Sequence, residues 1–253
     1  MHILVTNDDG VQAPGLLALA QEMRKLGEVT VYAPDRNWSA SGHVKTMERP
    51  LRVRETRLAD GSTAFMSDGA PSDCVALALL GLVEHVDLVV SGINPHANIG
   101  HDVTYSGTVT AAMEATIADV KGIAISLDSP DNFGSLLDYS TAAIVGRRVA
   151  EKVLQDGLPK GVLLNVNVPY LLESELNGYL VTRQGLRVYR DALDKRVDPR
   201  GRPYYWIGGE APTGVEEPGT DFGALRSGFV SITPLQLDLT AREAMETLKS
   251  WSF

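Results

Sequence analysis

The chain has 253 residues, 44% of them apolar and 22% charged, an ordinary globular composition with enough apolar surface for one large domain and an appendage. Its net charge of -9 excludes a protein that grips nucleic-acid polymers by broad phosphate neutralisation, which needs clustered excess Lys and Arg. The single cysteine, Cys74, excludes an intrachain disulfide; with no apolar run of bilayer length and with Asp8 and Asp9 interrupting any secretory core, a soluble cytoplasmic protein without membrane partners is expected.

Between residue 2 and about residue 168, short β-rich runs alternate with helical patterns. That alternation predicts an α/β fold: a Rossmann-like, mostly parallel sheet with helices on both faces. Strands are expected at residues 2–6, 29–33, 87–91, 122–126 and 162–168. The first helix is expected at residues 16–26, with Pro14 near its start and Gly27 just past its end. Residues 72–83 and 108–117 follow the same pattern, and Cys74, flanked by Val75, Ala76 and Leu77, reads as a buried thiol. Residues 51–57 and 63–67 flank Asp60-Gly61 and predict a hairpin attached to the sheet. After Pro169 the rhythm changes to Gly, Pro and Arg-rich segments, ending in a helix from about Thr240. The expected organisation is thus a core of residues 1–169 carrying the site and an extended β arm with a terminal helix over residues 170–253. Such an arm, unable to bury itself, predicts a homodimer or homotetramer.

Asp8 and Asp9 follow the first expected strand and precede Gly10. Turn and capping chemistry alone would account for Asn-Asp-Asp-Gly in a surface loop. At the end of a parallel strand, however, the pair stands where such folds keep their ligand crevice. Two bare carboxylates would repel a phosphate, each like-charge pair costing about 4 kcal/mol at 4 Å and an effective dielectric of 20. Either phosphate is excluded or a divalent cation sits between, and Asp oxygens favour hard ions such as Mg2+, Mn2+ or Ca2+ over Zn2+. The loop after the second strand carries Asn37 and Ser39, on the sheet edge where either could reach the aspartates. A third segment runs from Ser91 through Asn94 and Asn98 to Ser106-Gly107-Thr108. There the amides of a helix start, with two hydroxyls, make an anion cradle, or Ser106 is simply an N-cap.

These blocks resemble the SurE family of nucleotidases: Asn7-Asp8-Asp9-Gly10 with Ala13-Pro14-Gly15, Ala33-Pro34-Asp35-Arg36-Asn37 with Ser39, and Ser91-Gly92-Ile93-Asn94 running to Tyr105-Ser106-Gly107-Thr108-Val109. Gly69 to Val75, Leu164 to Pro169 and Asp198 to Trp206 are similar too, so the likeness covers nearly the whole chain in order. The resemblance implies that Asp8, Asp9, Ser39 and Asn94 hold one divalent cation. It implies that Ser106, Gly107 and Thr108 contact the substrate phosphate, with Asn98 also expected at the substrate. The implied reaction removes phosphate from nucleoside 5'- and 3'-monophosphates, with short polyphosphate and other small esters as further substrates. His96 and Thr110 stand where the family usually carries glycine. Two chemical routes are open: water activated at the cation and oriented by Asp8, or Asp8 itself as nucleophile. A metal-dependent nucleotide sensor without catalysis would use the same residues, whereas a dehydrogenase would need a Gly-x-Gly-x-x-Gly turn that this chain lacks. The basic run Arg183, Arg187, Arg190, Lys195, Arg196, Arg200 and Arg202 is expected either to guide anions or to form a solvated or subunit-facing ribbon.

Overall fold

The computed structural model describes residues 1–130 and 137–252, apart from the side chains at 190–191 and 209–212. The roles expected for the Arg190 side chain and for a terminal helix reaching Phe253 lie outside the described residues. The elements are β1 (His2–Thr6), α1 (Pro14–Met23), β2 (Glu28–Pro34), β3 (Val53–Arg57), β4 (Thr63–Ser67), α2 (Pro71–Leu77), β5 (Leu88–Asn94), α3 (Gly107–Ile117) and β6 (Lys121–Asp128). They continue with α4 (Ser140–Asp156), β7 (Val162–Pro169), β8 (Tyr179–Val181), β9 (Arg187–Val197), β10 (Pro203–Gly214), α5 (Asp221–Arg226), β11 (Val230–Gln236) and α6 (Arg242–Lys249).

One nine-stranded sheet has the order β3-β4-β2-β1-β5-β6-β7-β11-β8. β1 pairs in parallel with β2 on one side and β5 on the other, so the connection reverses direction at β1. The crevice beyond the carboxyl ends of β1 and β5 is therefore the switch point where this class of sheet binds ligands. Side-chain alternation along β1 explains the layers: Ile3 and Val5 pack under α1 and α4, while Leu4 faces α2 and α3. Four strands of this parallel core are buried along nearly their whole length, the continuous apolar pattern of strands covered on both faces. Cys74 is buried among the α2–α3 contacts, as expected, and burial pushes its thiol well up.

The expected hairpin is β3–β4, antiparallel and joined in parallel to β2 through β4. The expected helix at residues 72–83 ends at Leu77 and continues as a wider turn over Ala78–Leu82, where Gly81 leaves helical geometry. Helix α4 is an addition to the expected set. It buries Ala142, Val145, Val149 and Val153 at helical spacing against α1 and the sheet. Strand β11 is a second addition, antiparallel to β7 and parallel to β8. The sheet thus extends past the boundary expected at residue 169, and the separate ribbon is confined to β9 and β10. Helix α6 buries none of its residues. Among the described residues, no helix is long and apolar enough to cross a membrane.

Asp221, wholly buried at the start of α5, joins the C-terminal segment to the loop after β5. Its carboxylate accepts from the amides of Gly100 (2.8 Å), Gly185 (2.7 Å) and Phe222 (2.8 Å). Removing the acceptor leaves three amides without it, so Asp221→Ala is expected to cost about 3 kcal/mol in urea unfolding. A loss below about 1 kcal/mol would show that solvent replaces the carboxylate.

Candidate functional site

Asp8 leaves the end of β1 and is almost fully buried. The turn that carries it is shaped by Asn7, whose side chain accepts from the Gly10 amide (3.2 Å) and donates to the Gly10 carbonyl (3.1 Å). Trp38 N donates to the Asp8 carbonyl at 2.7 Å, which draws the loop after β2 onto this turn. From the opposite side the start of α3 arrives in direct contact. A Cβ on Gly107 would meet Asp8 Cβ at 2.6 Å and Oδ2 at 3.0 Å, so only glycine permits this approach. Thr108 Oγ1 donates to Asp8 Oδ1 at 2.5 Å. Burial raises the Asp8 pKa, opposed by the Thr108 hydroxyl and by the Gly107 and Thr108 amides.

Asp9 is partly exposed beside it. Burial, with repulsion from Asp8 added, pushes its carboxyl up to about 7. Asn37 is the loop residue whose side chain reaches the pair, donating to Asp9 Oδ1 at 3.2 Å. Ser39 is exposed two residues on and donates its amide to Asn37 Oδ1 at 2.7 Å. Asn94, the last residue of β5, donates through Nδ2 to the His96 carbonyl at 2.5 Å. Because Nδ2 is engaged, Oδ1, the atom a hard cation takes, is the end that remains for a ligand.

Ser106 caps α3, its oxygen accepting from Val109 N at 3.1 Å. The cap uses a lone pair and leaves the hydroxyl proton for a second acceptor, so capping does not exclude an anion. Thr108 is fully buried and its proton is given to Asp8; in this arrangement it orients the carboxylate. Asn98 is buried and its side chain donates to Ser126 Oγ at 2.8 Å. Its backbone is gripped by β7, with Asn165 and Asn167 donating to its carbonyl at 2.7 and 3.0 Å and Asn167 accepting from its amide at 2.8 Å. Asn98 therefore sits in a polar anchor for the loop, and the Leu164 to Pro169 block supplies that anchor.

Two contributors carry no signal in the sequence. Tyr139, at the start of α4, is raised to about 12 by burial and by the nearby Asp9 charge, but the helix that carries it was itself unrecognised. Glu114, on the third turn of α3, pairs with His43 (2.9 Å) and Lys45 (3.1 Å). The His43 hydrogen bond, with Lys45 adding, holds its carboxyl below the usual range. The helix and the Ser39 loop are thereby tied together. Thr110, one departure from the family pattern, adds a bond from its hydroxyl to the Gly42 carbonyl (3.2 Å). His96, the other, is exposed in the wall of a cavity of about 830 Å3 that Tyr170, Arg187 and Phe222 also line. The basic run is largely neutralised: Arg187 pairs with Asp102 (2.9 Å), Arg196 with Asp194 (2.7 Å), Arg202 with Asp198 (3.2 Å) and Arg183 with Glu217 (2.6 Å).

The model of the family described as Survival protein SurE matches residues 3–191 of this chain. The 5'-nucleotidase SurE of Herpetosiphon aurantiacus is 55% identical over 99% of this chain and 98% of the relative. The 5'-nucleotidase SurE of Chloroflexus aggregans is 50% identical over 100% of both. Among solved structures, the SurE protein from Aquifex aeolicus superposes with a TM-score of 0.82 at 41% identity, covering 98% of each chain.

The raised Asp9 carboxyl gives a signed pH effect. Between about pH 4 and pH 7 the folded, metal-free protein holds a proton that the unfolded chain has released, so stability falls as pH rises through that window. Asp9→Asn is expected to stabilise the metal-free protein at pH 8 by on the order of 1 kcal/mol and to have little effect below pH 4. Adding Mn2+ should reverse the order at pH 8, raising the wild-type melting temperature more than that of the variant. Equal melting shifts at both pH values would mean that Asp9 carries no charge penalty.

Proposed function

This chain belongs to the SurE family, and on that premise we propose that it is a divalent-metal-dependent phosphomonoesterase acting on nucleoside 5'-monophosphates. Nucleoside 3'-monophosphates, short polyphosphate and other small phosphate esters complete the proposed substrate range. The observation that carries this reading is the contact between the Asp8 carboxylate and the amino end of α3, which puts an acidic pair and an anion cradle in one crevice.

The donor set suits one hard cation. Two carboxylates resist charging, Asp8 because of burial and Asp9 because of burial and the Asp8 charge, and the expected partners Ser39 and Asn94 offer neutral oxygens. The described residues contain no group of three or more His, Cys, Asp and Glu side chains able to hold a metal. That composition favours Mg2+ or Mn2+, with Ca2+ as the third choice. Asp8, Asp9, Ser39 and Asn94 would hold the ion, which when bound supplies positive charge for the phosphate oxygens and lowers the pKa of a water.

The rest falls to the chain itself. We assign phosphate oxygens to the Ser106 hydroxyl and to the Gly107 and Thr108 amides, which here face the Asp8 carboxylate, and preorganised donors of this kind stabilise the charge of the transition state. Thr108 fixes the rotamer of Asp8, leaving that carboxylate to orient water. An Asp8 oxygen already accepting a hydroxyl proton is a weak nucleophile, which favours the water route over an aspartyl phosphate.

We also infer that the protein works as a homodimer or homotetramer in the cytoplasm. Support for assembly comes from the β9–β10 ribbon, where Trp206 and Ile207 are 62% and 84% exposed, and from the amphipathic, unburied α6. A single buried thiol suits a reducing compartment.

Inorganic phosphate is expected from AMP or GMP in the presence of Mn2+ or Mg2+, abolished by chelation and reduced at least about 100-fold by Asp8→Asn. Tight nucleotide binding without release would identify a sensor instead. Solvent oxygen entering the Asp8 carboxylate during one turnover would establish the nucleophile route. Replacing Trp206 and Ile207 together by Ser should lower the sedimenting mass; an unchanged mass would place the subunit contact elsewhere.

A further inference from the structure

The short 3-10 turn Gly100–Thr104 directly precedes the α3 start. Within it the Asp102 backbone carbonyl receives the amides of Tyr105 (3.0 Å) and Ser106 (3.1 Å), so its position sets where the capping residue of α3 lies. The Asp102 carboxylate faces the root of the ribbon. Arg187 Nε forms an ion pair with Oδ2 at 2.9 Å, and the Tyr189 hydroxyl donates to Oδ1. Both partners come from β9, two residues apart and hence on one face of the strand.

The other end of the turn is tied to the same region. Gly100 N donates to Asp221 Oδ2 at 2.8 Å, and Gln184 Nε2 donates to the Gly100 carbonyl at 2.8 Å. Gly100 has φ +54°, and a Cβ there would meet the Gly185 carbonyl at 2.6 Å, so the turn and the chain entering β9 are in backbone contact. Arg187 and Asp102 keep only 19% and 21% of their side-chain surface exposed. A charged pair this shielded is held more firmly than a surface pair.

We propose that Asp102 is a positioning residue through which the root of the β9–β10 ribbon fixes the anion cradle at Ser106–Thr108, making the placement of the ribbon a determinant of phosphate binding. The inference rests on reading that helix start as the phosphate site. Asp102 acts directly on the capping residue Ser106 and reaches the cation residue Asp8 only through the helix start, so its effect on phosphate exceeds its effect on metal.

The test compares Asp102→Asn, Tyr189→Phe and the double variant in the full-length protein. Inorganic phosphate is the probe, measured as a competitive inhibitor, alongside Mn2+ binding and amide hydrogen exchange over residues 100–108. Asp102→Asn is expected to weaken phosphate inhibition roughly tenfold and Tyr189→Phe about threefold, the loss of one charge-assisted hydrogen bond or part of one. The double variant should match Asp102→Asn alone, because both changes act through one carboxylate. Mn2+ affinity should stay within about twofold, and exchange should quicken in residues 100–108 without a global increase. Unchanged exchange in that segment, additive losses, or unaltered phosphate inhibition in a protein that does bind phosphate would each overturn the proposal. If the wild type neither hydrolyses nucleotides nor binds phosphate while exchange still quickens in the variants, the phosphatase reading falls and the tie between ribbon and helix stands.

Discussion

The approach of the α3 start to Asp8 is the constraint on which the rest of this molecule depends. A helix amino terminus carries a partial positive charge and unpaired amides, and here it is brought against a carboxylate with no side chain intervening at Gly107. The approach requires β1 and β5 to be neighbours, since one carries the acid and the other leads to the helix. It also requires α3 to lie low on the sheet, which Ala111, Ala112 and Ala115 permit by being small and fully buried. Topology, helix composition and one glycine thus serve the same contact.

Holding two acids in this crevice opposes folding. Burial raises both carboxyls, and repulsion from Asp8 raises Asp9 further; a folded state that disfavours its own charges is less stable than its contacts alone would make it. The surrounding structure offsets the strain by fixing each loop at several points. Asn7 closes the aspartate turn, Asn37 reaches Asp9, and Glu114 ties α3 to the Ser39 loop through His43 and Lys45. A further tie runs from Asp73, which accepts from the Thr46 amide at 2.8 Å and from its hydroxyl at 2.6 Å. These groups are polar because the loops lie at the sheet edge, where backbone groups outside regular structure need partners that an apolar core does not offer.

The central strands were legible because burial on both faces leaves a continuous apolar run, as in Ile3-Leu4-Val5 or Leu88-Val89-Val90. β5 continues to Asn94, beyond the expected Ser91, because pairing with β6 resumes at Asn94 after an irregularity that hydropathy does not mark. α4 was legible in principle, since Ala142, Val145, Val149 and Val153 recur at helical spacing, but Tyr139 makes no side-chain cap to announce its start. β11 was hidden by Pro234, which argues against an interior strand. The structure accommodates it because pairing with β8 ends at Ile232, so that neighbour does not call on the missing amide. In the site, residue types revealed the acids and the helix start, whereas Tyr139 and Asp221 are separated from them by tens of residues, and Glu114, on the same helix, takes partners 71 and 69 residues away; none carries a local signature.

The same distinction explains why sequence spacing identifies the candidate site groups better than the groups that hold them. Asp8, Asp9 and Ser106 to Thr108 are bound to particular turns by chemistry that acts over a few residues. Asn165 and Asn167 illustrate the opposite case. They lie within a strand at positions that an apolar residue would ordinarily fill, and both are fully buried. Their amides hold the Asn98 carbonyl, and Asn167 also takes the Asn98 amide, across a separation of nearly seventy residues. Buried amides placed there satisfy a loop that departs from regular pairing. The loop from Asn94 to Ser106 is therefore fixed in two directions, by β7 from within the sheet and by Asp221 and Arg187 from the C-terminal segment. A crevice assembled from three separate loops acquires in this way the fixed geometry that charge stabilisation demands.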